Sequence, residues 1–233
     1  MPPDGPRPLS GVTIVAFALH ETQLWVLLAE TGDDAGKPAS KPWRLPEGPV
    51  DVERDRDLLS CVRRVLKEKS GLPAAYLEQL ASWGSAARDP RGWAATHTYV
   101  AMISAKSDAL PSVSAVAGAE WSAVVGDGVD RQLSLDHEEI LAAAVNRLRS
   151  KSEYTSLPSY LLSAEFTLSD LQRAYEIVLG RNVEKSAFRT RILSADLVVP
   201  LDRFREAANR PARLYRLRHR QPVYFPRPLQ PKE

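Results

Sequence analysis

Between Leu45 and Leu72 the chain runs Leu-Pro-Glu-Gly, then a polar stretch, then Leu58-Leu59-Ser60-Cys61-Val62-Arg63-Arg64-Val65-Leu66-Lys67-Glu68-Lys69-Ser70-Gly71. Apolar residues at 58, 59, 62, 65 and 66 recur at helical spacing, and Gly71 stands where a helix-ending glycine takes the left-handed backbone. A Pro/Gly turn feeding an amphipathic helix leaves one face for a core and the other for solvent or a ligand.

Such a helix needs a sheet to lie on, and the flanking sequence supplies one. Val12–Leu19 and Leu24–Ala29 read as two strands joined by the polar His20-Glu21-Thr22-Gln23 turn, and Ala94–Ser104, rich in Thr, Tyr, Val and Ile, reads as another. Thr31–Lys41 is a Gly/Asp/Pro-rich loop. The order sheet, helix, sheet, helix predicts an α/β sandwich. A long helix over 136–151, with Asp136 as N-cap and Arg147, Arg149 and Lys151 in its last turns, suits the helix dipole at both ends and closes a first domain at residues 1–151.

Residues 152–233 have another rhythm. Thr155–Leu162 reads as a short helix. Thr167-Leu168-Ser169-Asp170 caps a second one, with Leu171, Ala174, Tyr175, Val178 and Leu179 on one stripe, ended by Gly180. Glu184–Leu193 makes a third, with Phe188, Ile192 and Leu193 inward and Lys185, Arg189, Thr190 and Arg191 outside. Leu197–Pro200 and Leu214–Leu217 follow as short strands. Three helices and a two-stranded wing describe a winged helix-turn-helix.

Charge separates the same two parts. The net +2 of the 233-residue chain hides 16 Lys and Arg against 20 Asp and Glu over 1–150, and 15 against 9 over 151–233. Arg203 to Arg227 alone holds eight arginines and one acid, Glu206. A basic winged helix points to a polyanion: its third helix enters the major groove, and its wing follows the backbone or the minor groove. Arg189 and Arg191 offer forked donors to guanine or phosphate. Lys185 and Ser186 suit phosphate, Thr190 shares their face, and Arg210 and Arg213 serve from the wing. The competing reading is a solvated surface or a partner's acidic face.

Composition narrows the rest. Hydrophobic residues at 44% and charged residues at 26% are ordinary globular values. No apolar run approaches a membrane span, and Met1-Pro2-Pro3-Asp4-Gly5-Pro6 lacks the flank of a signal peptide, so a cytoplasmic protein without a membrane partner is expected. The lone Cys61 excludes an internal disulfide and a cysteine zinc cluster, and reads as a small core residue.

The 45–72 segment resembles the Nudix box, a Gly, a distant Glu, then Arg-Glu-apolar-x-Glu-Glu-x-Gly-apolar. Aligned on Gly71 and Leu72, Arg64 matches the family arginine, while the three metal-binding glutamates fall on Val65, Glu68 and Lys69. Counting forward from Gly48, Arg54 stands where the family has Glu, and the loop is about two residues longer than the family spacing. Magnesium needs several hard oxygen ligands, so the expectation is a Nudix-like α/β/α sandwich with no metal, no cofactor and no catalytic residues, Arg64 and Glu68 being a remnant of the box.

Over nearly its whole length the chain resembles the NrtR family of Nudix-related transcriptional regulators. The resemblance is carried by the Arg-Leu-Pro-x-Gly turn, Glu68-Lys69-Ser70-Gly71-Leu72, Asp89-Pro90-Arg91-Gly92, Leu135–Ile140 with Arg147-Leu148-Arg149, Phe166–Gln172, Tyr175-Glu176, Phe188-Arg189 and Arg210–Arg216. It implies a homodimer that binds palindromic double-stranded operator DNA as a repressor and senses a nucleotide-type metabolite such as ADP-ribose, with NAD synthesis among the regulated processes. Glu47 stands where the family has a first loop glycine, and Asn209 where a glycine commonly precedes Arg-Pro-Ala. Arg44, Arg64, Arg88 and Arg91 form the candidate effector-phosphate cluster. The equally weighted alternative pairs Arg64 with Asp51, Glu53 or Asp55. His97 reads as structural and His137 as part of the interdomain joint, and Trp43 and Trp121 are nearest the cleft. The rival function is a Nudix hydrolase on ADP-ribose or a related nucleoside diphosphate, using Glu68 with Asp51, Glu53, Asp55 or Asp57; a third is an inert scaffold.

Overall fold

The computed structural model describes residues 8–30, 43–104, 118–206 and 211–229. The Thr31–Lys41 loop, Asn209 and Arg210 lie outside the described residues.

Strand β1 (Leu9–His20) organises the first unit. It pairs antiparallel with β2 (Gln23–Glu30), as the hairpin reading requires, and parallel with β6 (Gly92–Met102). Because side chains alternate across a strand, β1 feeds two cores. Val15 and Phe17 face one side, against Ile140, Leu141, Ala144, Val145 and Leu148 of helix α2 (His137–Ser152). Val12, Ile14, Ala16 and Ala18 face the other, against Cys61, Val62, Val65 and Leu66 of helix α1 (Leu58–Ser70). The sandwich is therefore helix, sheet, helix.

Three further strands complete the sheet on this side: β3 (Trp43–Arg44) on β2, β4 (Glu47–Pro49) on β1, and β5 (Tyr76–Asp89), hairpinned to β6 through Pro90 and Arg91. On the opposite flank, β7 (Ala119–Val125) joins β2 and carries β8 (Gly128–Val129). The path is β5-β6-β1-β2-β7-β8. Helix α1 starts in a reciprocal cap: Asp57 accepts the Ser60 N–H at 2.7 Å, and the Ser60 hydroxyl accepts the Asp57 N–H. It stops at Gly71, φ 68°.

Asp136 occupies the N-cap position of α2 but its side chain makes no capping bond; the carboxylate turns to Arg88 instead. An ion pair to a nearly buried guanidinium outcompetes a bond to one exposed amide.

The second unit opens with a 3₁₀ turn (Leu157–Leu161), then β9 (Phe166–Thr167), α3 (Leu168–Leu179), α4 (Lys185–Ser194), β10 (Val198–Arg205) and β11 (Ala212–Leu217). The strands pair as β10-β11-β9, the wing expected of a winged helix. Thr167 and Asp170 form the capping box of α3, and Gly180 ends it. Tyr175 and Phe188 meet edge to face at 5.2 Å, and the Tyr175 hydroxyl donates to Thr155 O. Leu193, expected inward, is 53% exposed. Phe188 and Ile192, four apart, define the buried stripe, and the next residue lies about 100° further round the helix.

The first core does not stop at α2. Leu157, Tyr160 and Leu161 of the 3₁₀ turn and Val178 of α3 belong to the same cluster as Phe17 and Leu141. No helix among the described residues is long and apolar enough to cross a membrane.

Candidate functional site

The ligand-side face of α1 is tied up internally. Arg64 reaches back to the loop and grips Asp55 with two bonds, Nε to Oδ1 at 2.8 Å and Nη2 to Oδ2 at 2.6 Å, and donates to Pro49 O at 3.0 Å. The bond from Arg64 holds the Asp55 carboxyl far below the ordinary aspartate value, and Asp55 in turn raises the Arg64 guanidinium. Of the acids weighed for Arg64, Asp55 is the partner. Glu68 is shared between Arg54 at 3.0 Å and Arg64 at 3.4 Å. Burial lifts the Cys61 thiol to about 11, so it stays protonated in the core.

The donor set does not fit a magnesium ion. Val65, at the place of the first family glutamate, is 2% exposed, and a Cβ built on Gly48 would lie 2.7 Å from its Cγ2, so the helix and the loop meet in a dry contact there. Glu68 is neutralised by two guanidinium groups, and no group of three or more His, Cys, Asp or Glu side chains converges among the described residues. A divalent ion needs several free hard oxygens.

A second cluster lies where β3, β4, the end of β5 and the start of α2 meet. Arg44 Nη1 donates to Glu47 Oε1 at 2.6 Å. The other Glu47 oxygen sits 3.4 Å from His137 Nε2 and 3.9 Å from Arg88 Nη2. Arg88 also pairs with Asp136 and reaches Thr13 Oγ1 at 3.5 Å. His137 is fully buried and its Nδ1 accepts the Leu45 N–H at 2.9 Å, which places its proton on Nε2, facing Glu47. Burial alone would raise the Glu47 carboxyl, but His137 and Arg44 outweigh it and hold the group at about 2. His137 thus serves the loop that precedes the box, not the interdomain joint expected for it. Arg91 stands apart, forked onto Asp89 on the exposed β5–β6 turn.

The four candidate effector arginines therefore fall into three places: Arg44 with Arg88, Arg64 on α1, and Arg91 at the turn. Trp43 is stacked by Arg131 at 4.5 Å, whereas Trp121 is buried in the α1-side core. His97 is bonded to Ser82 at 3.0 Å across β5 and β6.

The α4 surface is arranged differently. Lys185, Ser186, Arg189 and Thr190 are exposed along one side of the helix. Lys185 and Arg189 have no ion pair or side-chain hydrogen bond among the described residues, nor have the exposed Arg216 and Arg220 beyond them. Arg191 points elsewhere: it donates to Arg227 O at 2.6 Å and Pro228 O at 2.7 Å and lies over the Phe225 ring at 5.3 Å. It fastens the C-terminal segment to α4. The wing's basic run is partly compensated from outside itself, Arg203 by Glu165, Arg205 by Asp170 at 2.8 Å, Arg213 by Asp202 at 3.1 Å and Arg218 by Asp196 at 3.0 Å.

Helix α2 runs from the Glu47 cluster to the second unit. Its start holds His137 against Leu45 and Glu47, and Asp136 on Arg88. Near its end Arg149 donates from Nη2 to Gly126 O at 2.6 Å in the β7–β8 turn and from Nε to Val178 O at 3.3 Å in α3. Lys151 binds Glu78 of β5 at 2.7 Å. Away from α2 a cleft of about 720 Å³ separates the β1–β2 hairpin from α3, lined by Leu19, Glu21, Glu165, Phe166, Arg173 and Ile177 among others. The sequence showed Arg149 only as a dipole-matching cation; its acceptors are main-chain carbonyls, which leave no residue-type signal.

Comparison with known proteins places these features. Residues 158–217 match the family model described as the NrtR DNA-binding winged helix domain. A repressor of Acinetobacter baylyi, described as an ADPR responsive transcriptional repressor, is 40% identical over 213 residues, covering 91% of this chain and 83% of that one. The crystal structure of Shewanella oneidensis NrtR complexed with a 27mer DNA superposes with a TM-score of 0.83 at 32% identity, covering 94% of this chain and 99% of that chain. The Nudix domain of the same Shewanella protein complexed with ADP ribose matches with a TM-score of 0.53 at 30% identity, over 64% of this chain and 93% of that one.

Proposed function

The chain belongs to the NrtR family of Nudix-related transcriptional regulators, and from that premise we propose that it is a DNA-binding repressor whose Nudix-like unit senses ADP-ribose or a related nucleotide and has lost hydrolysis. The observation that carries the DNA reading is the exposed side of α4, where Lys185 and Arg189 stand without an internal counter-charge. Cations already paired within the fold add little to a polyanion's binding, because an old pair must break for each new one; unpaired ones release counterions at no such cost.

In this reading residues 1–151 sense and dimerise, and residues 152–233 bind DNA. Lys185, Ser186, Arg189 and Thr190 contact the major groove, with Arg213 of β11 and the sequence-assigned Arg210 contributing to DNA contact. Arg191 acts indirectly, by fixing the C-terminal segment behind α4. Two copies present two recognition helices to a palindrome. Arg44 and Arg88 are the effector contacts best placed to be felt elsewhere, since their cluster includes the start of α2; Arg64 and Arg91 would act as effector contacts only from their separate places. A shift of α2 at the Leu45–Glu47 loop is transmitted by Arg149 to the carbonyl of Val178 in α3. Among the comparisons, the relative's response to ADP-ribose and the ADP-ribose complex of a family Nudix domain support the choice of ligand.

The test is footprinting on the intergenic DNA upstream of the protein's own gene. A protected palindrome that ADP-ribose clears or strengthens supports the reading, and an unprotected region counts against it. Magnesium-dependent cleavage of ADP-ribose, abolished in Glu68→Gln, would establish the hydrolase instead.

A further inference from the structure

Glu47 opens β4, and its carboxylate faces donors that could serve an external anion, although Arg88 is also paired with Asp136. Arg44 contacts one oxygen at 2.6 Å; His137 Nε2 and Arg88 Nη2 face the other at 3.4 and 3.9 Å. The two arginines come from different strands and the histidine from α2; Arg88 is also held by Asp136 and Thr13 and the His137 ring by the Leu45 N–H, so the three donors face one point from fixed positions and the Glu47 carboxylate occupies that point. The cluster is also incompletely satisfied. Arg44 Nε and His137 Nε2 are buried donors with no hydrogen-bond partner among the described residues; the unpartnered Asp136 Oδ1 is an acceptor and offers an anion nothing. Buried donors without partners cost free energy, so an anion able to satisfy both of these has a driving force to enter.

We propose that Glu47 is a built-in competitor for the anionic effector: its carboxylate occupies the cationic corner of Arg44, Arg88 and His137, and the diphosphate group of a nucleotide effector binds by displacing it. This rests on the reading of the Nudix-like unit as a nucleotide sensor. Both groups are anions with oxygens spaced to accept arginine forks, and they cannot share the corner, because two like charges a few ångströms apart repel. The exchange sets the threshold of response, since the effector must outbid a tethered carboxylate. It also carries the signal, because His137 and Asp136 of α2 are held through the same cluster.

The experiment is calorimetric titration of ADP-ribose, and in parallel of adenosine, into the full chain, Glu47→Gln and Glu47→Gly. The glutamine keeps the side chain's shape without its charge. The expected result is that ADP-ribose binds about tenfold more tightly to both variants, while adenosine, which has no phosphate, gains nothing. In an Arg44→Ala background the gain from Glu47→Gln disappears, as it must if the two compete for that guanidinium. ADP-ribose binding that is equal or weaker in both variants overturns the proposal and leaves the sensor reading intact. An equal gain for adenosine also overturns it, since a loosened loop then explains the effect. ADP-ribose binding to none of the proteins overturns both readings, whereas binding to the variants alone supports the competitor in its strongest form.

Discussion

Helices α1 and α4 both carry basic residues, yet Arg64, on the side of α1 that meets the box loop, is spent, while Lys185 and Arg189 on α4, like Arg63, Lys67 and Lys69 on the outer side of α1, have no ion pair among the described residues. On α1, Arg64 is forked onto Asp55 and bonded to Glu68, and Arg54 closes the group. On α4, Lys185 and Arg189 face outward with no partner among the described residues. The difference is the position of the counter-charge. The α1 loop carries Asp51, Glu53, Asp55 and Asp57 within reach, and a cation met by an internal acid becomes a fastening. The same residue type without such an acid keeps its attraction for an external one. Arg191 refines the lesson, for it sits on α4 and is nonetheless a fastening, its acceptors being carbonyls rather than acids.

The largest expected effect breaks the comparison at α1. Val65→Glu restores a family carboxylate by sequence but places it in the dry contact with Gly48, so it should cost about 3 kcal/mol or more of stability without producing hydrolase activity, measured by urea unfolding and an ADP-ribose cleavage assay. If the variant is stable and cleaves, the account of that helix face is wrong. On α4, Arg189→Ala should weaken operator binding by about 1–3 kcal/mol with an unchanged unfolding midpoint, and Lys185→Ala should lower the salt slope of binding by about one. Arg191→Ala should do the reverse. Loss of two charged hydrogen bonds predicts about 2 kcal/mol of stability lost from the second unit, with DNA affinity in the folded protein falling less than in Arg189→Ala.

These contrasts mark where the sequence was legible. The nearly continuous apolar run of β1, the capping box at Thr167 and the glycines at 71 and 180 are local signals with local causes, and each element formed where those signals stand. Asp55 as the partner of Arg64 was visible only as one of several acids, because loop closure and not spacing selects it. The arginine run from 203 looked uncompensated because Glu165, Asp170 and Asp196 answer it from other elements. The strands β5, β7 and β8 were not foreseen; β5 is exposed along much of its length and lacks a clean alternation. The corner is assembled from four elements: Arg44 and Arg88 were expected to share a cluster, but the part Glu47 and His137 play in it has no sequence signature.

The last expected effect concerns that corner. The Glu47 carboxyl lies at about 2 in the fold against an ordinary 4.5, a depressed value, so its contribution to stability is complete above pH 4.5 and is lost as the pH falls toward 2. Glu47→Gln should therefore flatten the acid limb of the stability curve over that window, read from urea midpoints at successive pH values; an unchanged limb would show that the carboxylate is not held as described.

The most direct test of the account is a fluorescence-anisotropy titration of the chain against its own upstream intergenic duplex and a scrambled duplex, with wild type, Arg189→Ala and Arg64→Ala side by side and with ADP-ribose absent or present. The account predicts tight, sequence-dependent binding that ADP-ribose shifts, a large loss in Arg189→Ala, and near wild-type DNA affinity in folded Arg64→Ala. Equal weak binding to both duplexes, or equal losses in the two arginine variants, would contradict it.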